Sequence, residues 1–137
     1  MIFKIDTKEK FTIITPMVEN LSDNLTAELA RIASDYLQKD IKNAVLNLDH
    51  VQSIDEEAAT HLTKLEQTFY ENNASFVICG LQSSVEEQLE KFELLELMNV
   101  TPTETEAGDM VQMEEIEREL MEDDNPSLDN PDEEEKE

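Results

Sequence analysis

Two runs of apolar and β-branched residues open the chain, Ile2 to Ile5 and Phe11 to Ile14, and the polar "DTKEK" between them makes the pair read as a hairpin of strands. Pro16 closes the second run. After "NLSDN", whose Ser22, Asp23 and Asn24 are all favourable helix caps, Leu25, Leu29, Ile32 and Tyr36 recur at steps of 4, 3 and 4. That is one face of a helix over about residues 23–38. "AVLNL" at 44–48 and "SFVICGL" at 75–81 are nearly uninterrupted apolar runs, as expected of strands buried on both faces. Between them Ala58, Leu62, Leu65 and Phe69 again step by 4, 3 and 4, which predicts a second helix from about Glu56 to Tyr70. Strand, helix, strand implies parallel neighbours joined by a right-handed crossover.

"SSVEEQLEKFELL" follows, with two overlapping capping-box patterns, Ser83 with Glu86 and Ser84 with Glu87, and Val85, Leu89 and Phe92 as its buried side. "VTPT" at 100–103 predicts a short edge strand, because Pro102 removes a ladder donor. Thr103 with Glu106 is a further capping box opening a fourth helix, in which Met110, Met113, Ile116 and Leu120 form a weaker apolar stripe and Gly108 costs about 1 kcal/mol relative to alanine. The order is β, β, α, β, α, β, α, β, α. It predicts an α/β domain with a mixed sheet of four or five strands and about four helices covering its apolar faces.

Charge divides the chain. Among 137 residues, 34 acids against 10 bases give a net charge of -24, with 18 acids and 8 bases over residues 1–100 and 16 and 2 over residues 101–137. The end, "EDDNPSLDNPDEEEKE", is too polar and too uniformly charged to offset ordering entropy, so one domain at 1–121 and an acidic disordered tail at 122–137 are expected. That tail reads either as a solubilising segment or as a docking segment for a basic surface. Polyanionic partners, nucleic acid or an anionic membrane, are disfavoured by repulsion. No apolar run approaches the roughly 20 residues of a membrane span and no secretory leader pattern is present, so a cytoplasmic protein is expected.

Candidate chemistry is sparse. Cys79 stands alone, and His50 and His61 do not make a zinc pattern, so neither a disulfide nor a metal cofactor is expected. With Gly80 and Gly108 as its only glycines the chain has no phosphate loop, and no nucleophile motif is present. The one dense group of functional side chains is "VQSIDEEAATHL", where Asp55, Glu56 and Glu57 stand at a strand-to-helix corner. Adjacent acids on a helix project about 100° apart, which does not suit convergence on one substrate atom. A non-enzymatic role follows.

The order of elements and the residues of "AVLNLDHVQSIDEEAATHL" resemble the STAS domain, the fold of bacterial anti-sigma factor antagonists. Val45, Leu46 and Leu48 match the family's apolar strand, Asp49 its end, Ile54 the apolar position after the loop, and Asp55 the first residue of the family's Asp-Ser-Ser-Gly. The later "SFVICGLQSSVEEQLEKFELLELMNVTPTETEAGDM" is similar to the family's last section, so the resemblance covers about residues 1–118. It implies a partner-switching protein of transcriptional regulation that binds an anti-sigma factor of the serine kinase type. In regulated members the second serine is phosphorylated by that partner and the complex breaks. Here Glu56 and Glu57 stand at the two serine positions and Ala58 at the glycine, so Glu57 is the phosphorylation-site equivalent without an acceptor hydroxyl. Phosphoserine carries about -1.5 to -2 charges and glutamate one, so the resemblance implies that Glu57 acts as a permanent, partial phosphate mimic, which either fixes the protein in the state that does not bind a kinase of that type or means that its partner was never such a kinase.

The resemblance makes Ser53, Asp55, Glu56, Glu57, Thr60, His61 and Lys64 the expected partner-binding set. Glu57, Thr60, His61 and Lys64 share one helical stripe, roughly 100° from the apolar one. Three other uses stay open for these residues: helix caps with no further role, a surface pair between His61 and Glu57, and phosphorylation shifted to Thr60 or Ser53. Two other branches of the fold also stay open, a subunit that binds the ATPase of a lipid-transport ABC complex and a small-ligand or nucleotide sensor. Oligomeric state is not legible.

Overall fold

Alternation along the central strands sends successive side chains to opposite faces, and here both faces are covered. The computed structural model describes residues 2–124. The hairpin forms as β1 (Phe3–Thr7) and β2 (Thr12–Pro16), paired antiparallel with Ile5 opposite Ile14. β4 (Ala44–Asn47), β6 (Phe76–Cys79) and β7 (Val100–Thr101) extend the sheet in parallel, in the order β1-β2-β4-β6-β7. β7 is the expected edge strand. Each crossover therefore steps the same way across the sheet, so a single handedness places α1 (Asp23–Asp35), α2 (Glu56–Glu71) and α3 (Ser83–Lys91) on one face.

That face buries Ile14, Leu46 and Ile78 from the strands against Leu29, Leu62, Phe69 and Leu89 from the helices. Phe69 is fully buried, a contribution of about 1.5–3 kcal/mol. Its ring meets Phe76 edge-on at a centroid distance of 5.1 Å. The opposite face presents Ile13, Val45, Val77 and Cys79, and α4 (Glu104–Asp124) covers it with Ala107 and Val111.

The structure differs from the sequence reading at four places. The first helix turns into a 3₁₀ segment at Tyr36–Gln38 after Asp35, although Ser22 caps its start as expected, accepting from Leu25 N at 3.3 Å. The boxes at Ser83 and Ser84 do not form: Gln82 occupies the cap position of α3 without a side-chain cap. A second, two-stranded parallel sheet joins β3 (Asn20–Leu21) to β5 (Ser53–Ile54), segments too short to carry a periodic signal.

The fourth difference is the face of α4. Ala107, Gly108 and Val111 lie inward, and of the expected stripe Met110 is half-buried against them, whereas Met113, Ile116 and Leu120 are exposed. Polar contacts fix this orientation. Asn47 Nδ2 donates to Glu104 Oε2 at 2.6 Å near one end of α4. Farther along, Asn43 Nδ2 donates to Glu115 Oε2 at 2.7 Å, Ser75 Oγ donates to Glu114, and Arg118 donates to Ser75 Oγ at 3.1 Å. Asn43, Asn47 and Ser75 are buried, and leaving such groups unpaired costs about 1–3 kcal/mol each. Gly108 permits the close approach: a Cβ there would stand 2.9 Å from the Phe11 ring. The expected tail lies, from residue 125 on, outside the described residues, and α4 itself continues to Asp124.

Gly80, just after β6, has φ +74°, and a Cβ there would fall 2.2 Å from Asp49 Oδ1. Gly80→Ala is expected to destabilise the fold by about 1–3 kcal/mol, read from urea unfolding. An unchanged midpoint would show that the turn relaxes freely.

Candidate functional site

The expected site lies where β4 and β6 end, and its loop, residues 48–55, is held from three sides. Leu48 N donates to Cys79 O at 2.9 Å, continuing the sheet by one step, and Asn47 Oδ1 accepts from Asp49 N at 2.9 Å. Glu19 O accepts from Gln52 N at 2.6 Å and Ser53 N at 3.0 Å, and Leu21 O accepts from Asp55 N at 3.2 Å. From α3 and its approach, Gln82 Nε2 donates to Asp49 O at 2.6 Å, Ser84 Oγ donates to Gln52 O at 2.7 Å, and Gln88 Oε1 accepts from Ile54 N at 2.9 Å. Val51 and Ile54 anchor the loop in the core. A loop whose backbone groups are paired to this extent presents its side chains with little left to order.

Gln82, Ser84 and Gln88 carry no motif that marks them as loop supports. The two serines at 83 and 84 are a real signal at the start of α3, but one of those hydroxyls reaches across to the loop instead of back to its own helix. Gly80 is the other concealed support, since its missing Cβ leaves room for the Asp49 carboxylate.

The seven expected residues fall on a continuous surface. Asp55, Glu56, Glu57 and Lys64 are exposed, and Ser53, Thr60 and His61 are half-buried. Asp55 occupies the N-cap position of α2 but its side chain makes no cap bond. Ser53 does not cap the helix either, because its hydroxyl donates to Asn20 Oδ1 at 2.7 Å. Among the described residues none of the three carboxylates has an ion-pair partner. Thr60 Oγ1 donates to Glu56 O at 3.0 Å within the helix. His61 does not pair with Glu57: its Nδ1 lies 3.3 Å from Asp23 Oδ1 in the first turn of α1, so it joins the two helices.

Neither of the two main clefts is lined by any of the seven residues. The smaller, about 250 Å³, lies between Met17, Glu19, Asp49, His50 and Gln82. The larger, about 960 Å³, is an open groove at the other end of the strands, between Glu66 and Tyr70 of α2, Leu97, and Glu114 and Arg118 of α4. Among the described residues no three His, Cys, Asp or Glu side chains are grouped to hold a metal ion. Burial pushes the Cys79 thiol up to about 12, and Glu104 and Asp49 push it the same way, so this thiol is an inert core group. No described helix is long and apolar enough to cross a membrane.

The chain matches the STAS domain family over residues 4–107. Among solved structures, a candidate anti-sigma factor antagonist of Thermotoga maritima superposes with a TM-score of 0.69 at 19% identity, covering 80% of this chain and 94% of that one. RsbS of Moorella thermoacetica, carrying a serine-to-glutamate substitution, gives 0.67 at 15% identity, with 85% and 97% covered. The anti-sigma factor antagonist SpoIIAA in its unphosphorylated form gives 0.64 at 14%, with 80% and 96% covered. Among curated proteins no significant match was found.

Glu66, in the large groove, is the titratable carboxylate most altered by the fold. Burial raises it from its ordinary 4.5 to about 8; the Asn99 N–H, 3.2 Å from Oε1, lowers it in part, and Glu114 raises it further. The folded state thus keeps a proton that the unfolded chain releases near pH 4.5. Its contribution to stability is complete below that pH and is lost as pH rises through 8. Glu66→Gln is expected to remove this loss, so that the urea midpoints of wild type and variant diverge between pH 5 and 9 in favour of the variant. Parallel pH profiles would show Glu66 ionised throughout.

Proposed function

Because the chain belongs to the STAS domain family, we propose that it is a non-enzymatic protein-interaction module of the anti-sigma factor antagonist kind, binding through the head of α2 and the loop before it. The observation that carries this reading is the state of Asp55, Glu56 and Glu57. They are exposed and, among the described residues, without ion-pair partners; Asp55 makes no cap bond, and all three stand beside a loop whose backbone is already paired. Charges so placed are available to a second protein. Ser53, Thr60, His61 and Lys64 complete a surface that lines neither cleft, which suits a macromolecular face more than a small ligand.

Glu57 aligns by resemblance with the serine that regulated relatives phosphorylate. It lies in the first turn of α2, where the helix dipole stabilises a negative charge by about 0.3–1 kcal/mol when exposed. The corner is therefore negative at all times, and the partner is one that accepts this charge without a switch. The family likeness favours a soluble, cytoplasmic partner of the anti-sigma factor class, but one whose complex, unlike that of the kinases of regulated relatives, is not broken by a negative charge at this position.

Affinity purification from the native source with wild type, Glu57→Ser and Glu57→Lys tests this. Lysine at 57 is expected to abolish capture of a kinase-like protein while the melting temperature stays within a few degrees, as for most surface substitutions. Equal capture by all three proteins would remove the acidic corner from the interface. Recovery of a membrane-bound ATPase in place of a kinase-like protein would assign the chain to the transporter branch, and phosphorylation of Glu57→Ser by the recovered partner would show that the switch needs only its hydroxyl restored.

A further inference from the structure

On the face of the sheet away from α2, α4 lies close to the strands through Ala107, Gly108 and Val111 and is held by Glu104, Glu115 and Arg118. Those contacts decide what faces outward. At 100° per residue, Met113, Ile116 and Leu120 centre on the side of the helix opposite Ala107 and Val111. They are 62%, 55% and 59% exposed, although each belongs to a type that usually buries. Steps of 3 and 4 align them in one stripe about two turns long. Among the described residues no other element packs over it.

The borders of the stripe indicate what would cover it. Asp109 lies in line with it, Glu117 on one side and Glu119 on the other, all exposed. From Glu104 to Asp124 the helix carries ten acids and one base, and that base, Arg118, is engaged with Ser75 and Asn43. A second copy laid along the stripe would set the bordering Asp109, Glu117 and Glu119 of one copy against those of the other, with no cation on either border. An anionic bilayer would be repelled for the same reason. A helix with one apolar face flanked by lysine or arginine fits both features, since its apolar residues cover Met113, Ile116 and Leu120 while its cations meet the bordering carboxylates. Methionine suits this use because its unbranched side chain adapts to what it meets.

We propose that the outward stripe of α4 is a docking surface for a basic amphipathic helix of a partner protein, separate from the corner at α2. The two surfaces lie on opposite faces of the sheet, so both can be occupied at once, and this assignment does not depend on the reading of Glu57.

The full chain is titrated by calorimetry with a synthetic amphipathic helix of about 18 residues, bearing leucines at i, i+3 and i+7 and lysines on its flanks. A scrambled peptide of the same composition is the control. Wild type is expected to prefer the amphipathic peptide. Substituting Met113→Ser, Ile116→Ser and Leu120→Ser together, which leaves net charge unchanged, is expected to weaken that binding by about tenfold or more and to leave the circular dichroism spectrum and melt intact. Glu117→Lys with Glu119→Lys, which keeps the stripe, is expected to weaken it as well.

No binding would overturn the proposal outright, and equal binding of the scrambled peptide or equal affinity in the serine variant would overturn it by reducing it to a polyanion meeting a polycation. So would a stripe-dependent dimer in sedimentation, which gives the surface to a second copy. Stripe-dependent binding to phosphatidylserine vesicles would overturn it in favour of a membrane.

Discussion

Burying β4 and β6 on both faces is the constraint from which the rest of the structure follows. Three crossovers in one direction put α1, α2 and α3 on the same side of the sheet, which leaves Val45, Val77 and Cys79 bare on the other. A fourth helix is obligatory. The space it fills is shallow, so small residues touch the sheet, and the polar ends of the strands determine its rotation. Asn43, Asn47 and Ser75 are buried at or beside those ends and are all satisfied from α4. One strand, β4, is thus tied at one end to the middle of α4 and at the other to its beginning. The same Asn47 that anchors Glu104 also accepts from Asp49 N, where the functional loop departs.

The loop inherits its rigidity from that arrangement. β3 and β5 pair for only two residues, yet they tie the approaches to α1 and α2 together, and α3 supplies Ser84 and Gln88 to the same stretch. Pairing the backbone in this way leaves the carboxylates of Asp55, Glu56 and Glu57 outside the hydrogen-bond network. An interaction surface gains from such a division: the scaffold carries the ordering cost before a partner arrives, and the exposed side chains choose the partner.

The strands of the larger sheet and the helices on its apolar face were legible because each depends on local periodicity, whereas the two-residue β3 and β5 were not. Ala58, Leu62, Leu65 and Phe69 are all buried, as their spacing requires. α4 was legible in position but not in rotation. Its most hydrophobic residues, Met113, Ile116 and Leu120, make the better stripe on paper, whereas Ala107, Gly108 and Val111 make the closer contact. Hydrophobicity scales cannot register that a neighbouring Phe11 ring leaves no room for a side chain at 108. At the corner, Ser84 was misread as a cap and Gln82 carried no signal, for a related reason. Their side chains act across 32 and 33 residues of sequence, and capping patterns describe only the nearest four.

Two acidic surfaces on one small chain raise the question of how either could be selective. At physiological salt an exposed charge is felt over only about 8 Å, so the net charge of -24 speeds the approach of any basic protein without distinguishing among them. Discrimination must come from what the charges surround. In the proposed α2 surface they stand beside a loop with a paired backbone, with Ser53, Thr60 and His61 among them, so a partner would be selected by its fit to side chains already in place. In the proposed α4 surface they surround an apolar stripe, which would tolerate variation in the apolar residues it meets and depend on the helical spacing of the partner. On the two proposals the first surface would select by rigidity and the second by periodicity, so the same electrostatic attraction could serve two partners without confusing them.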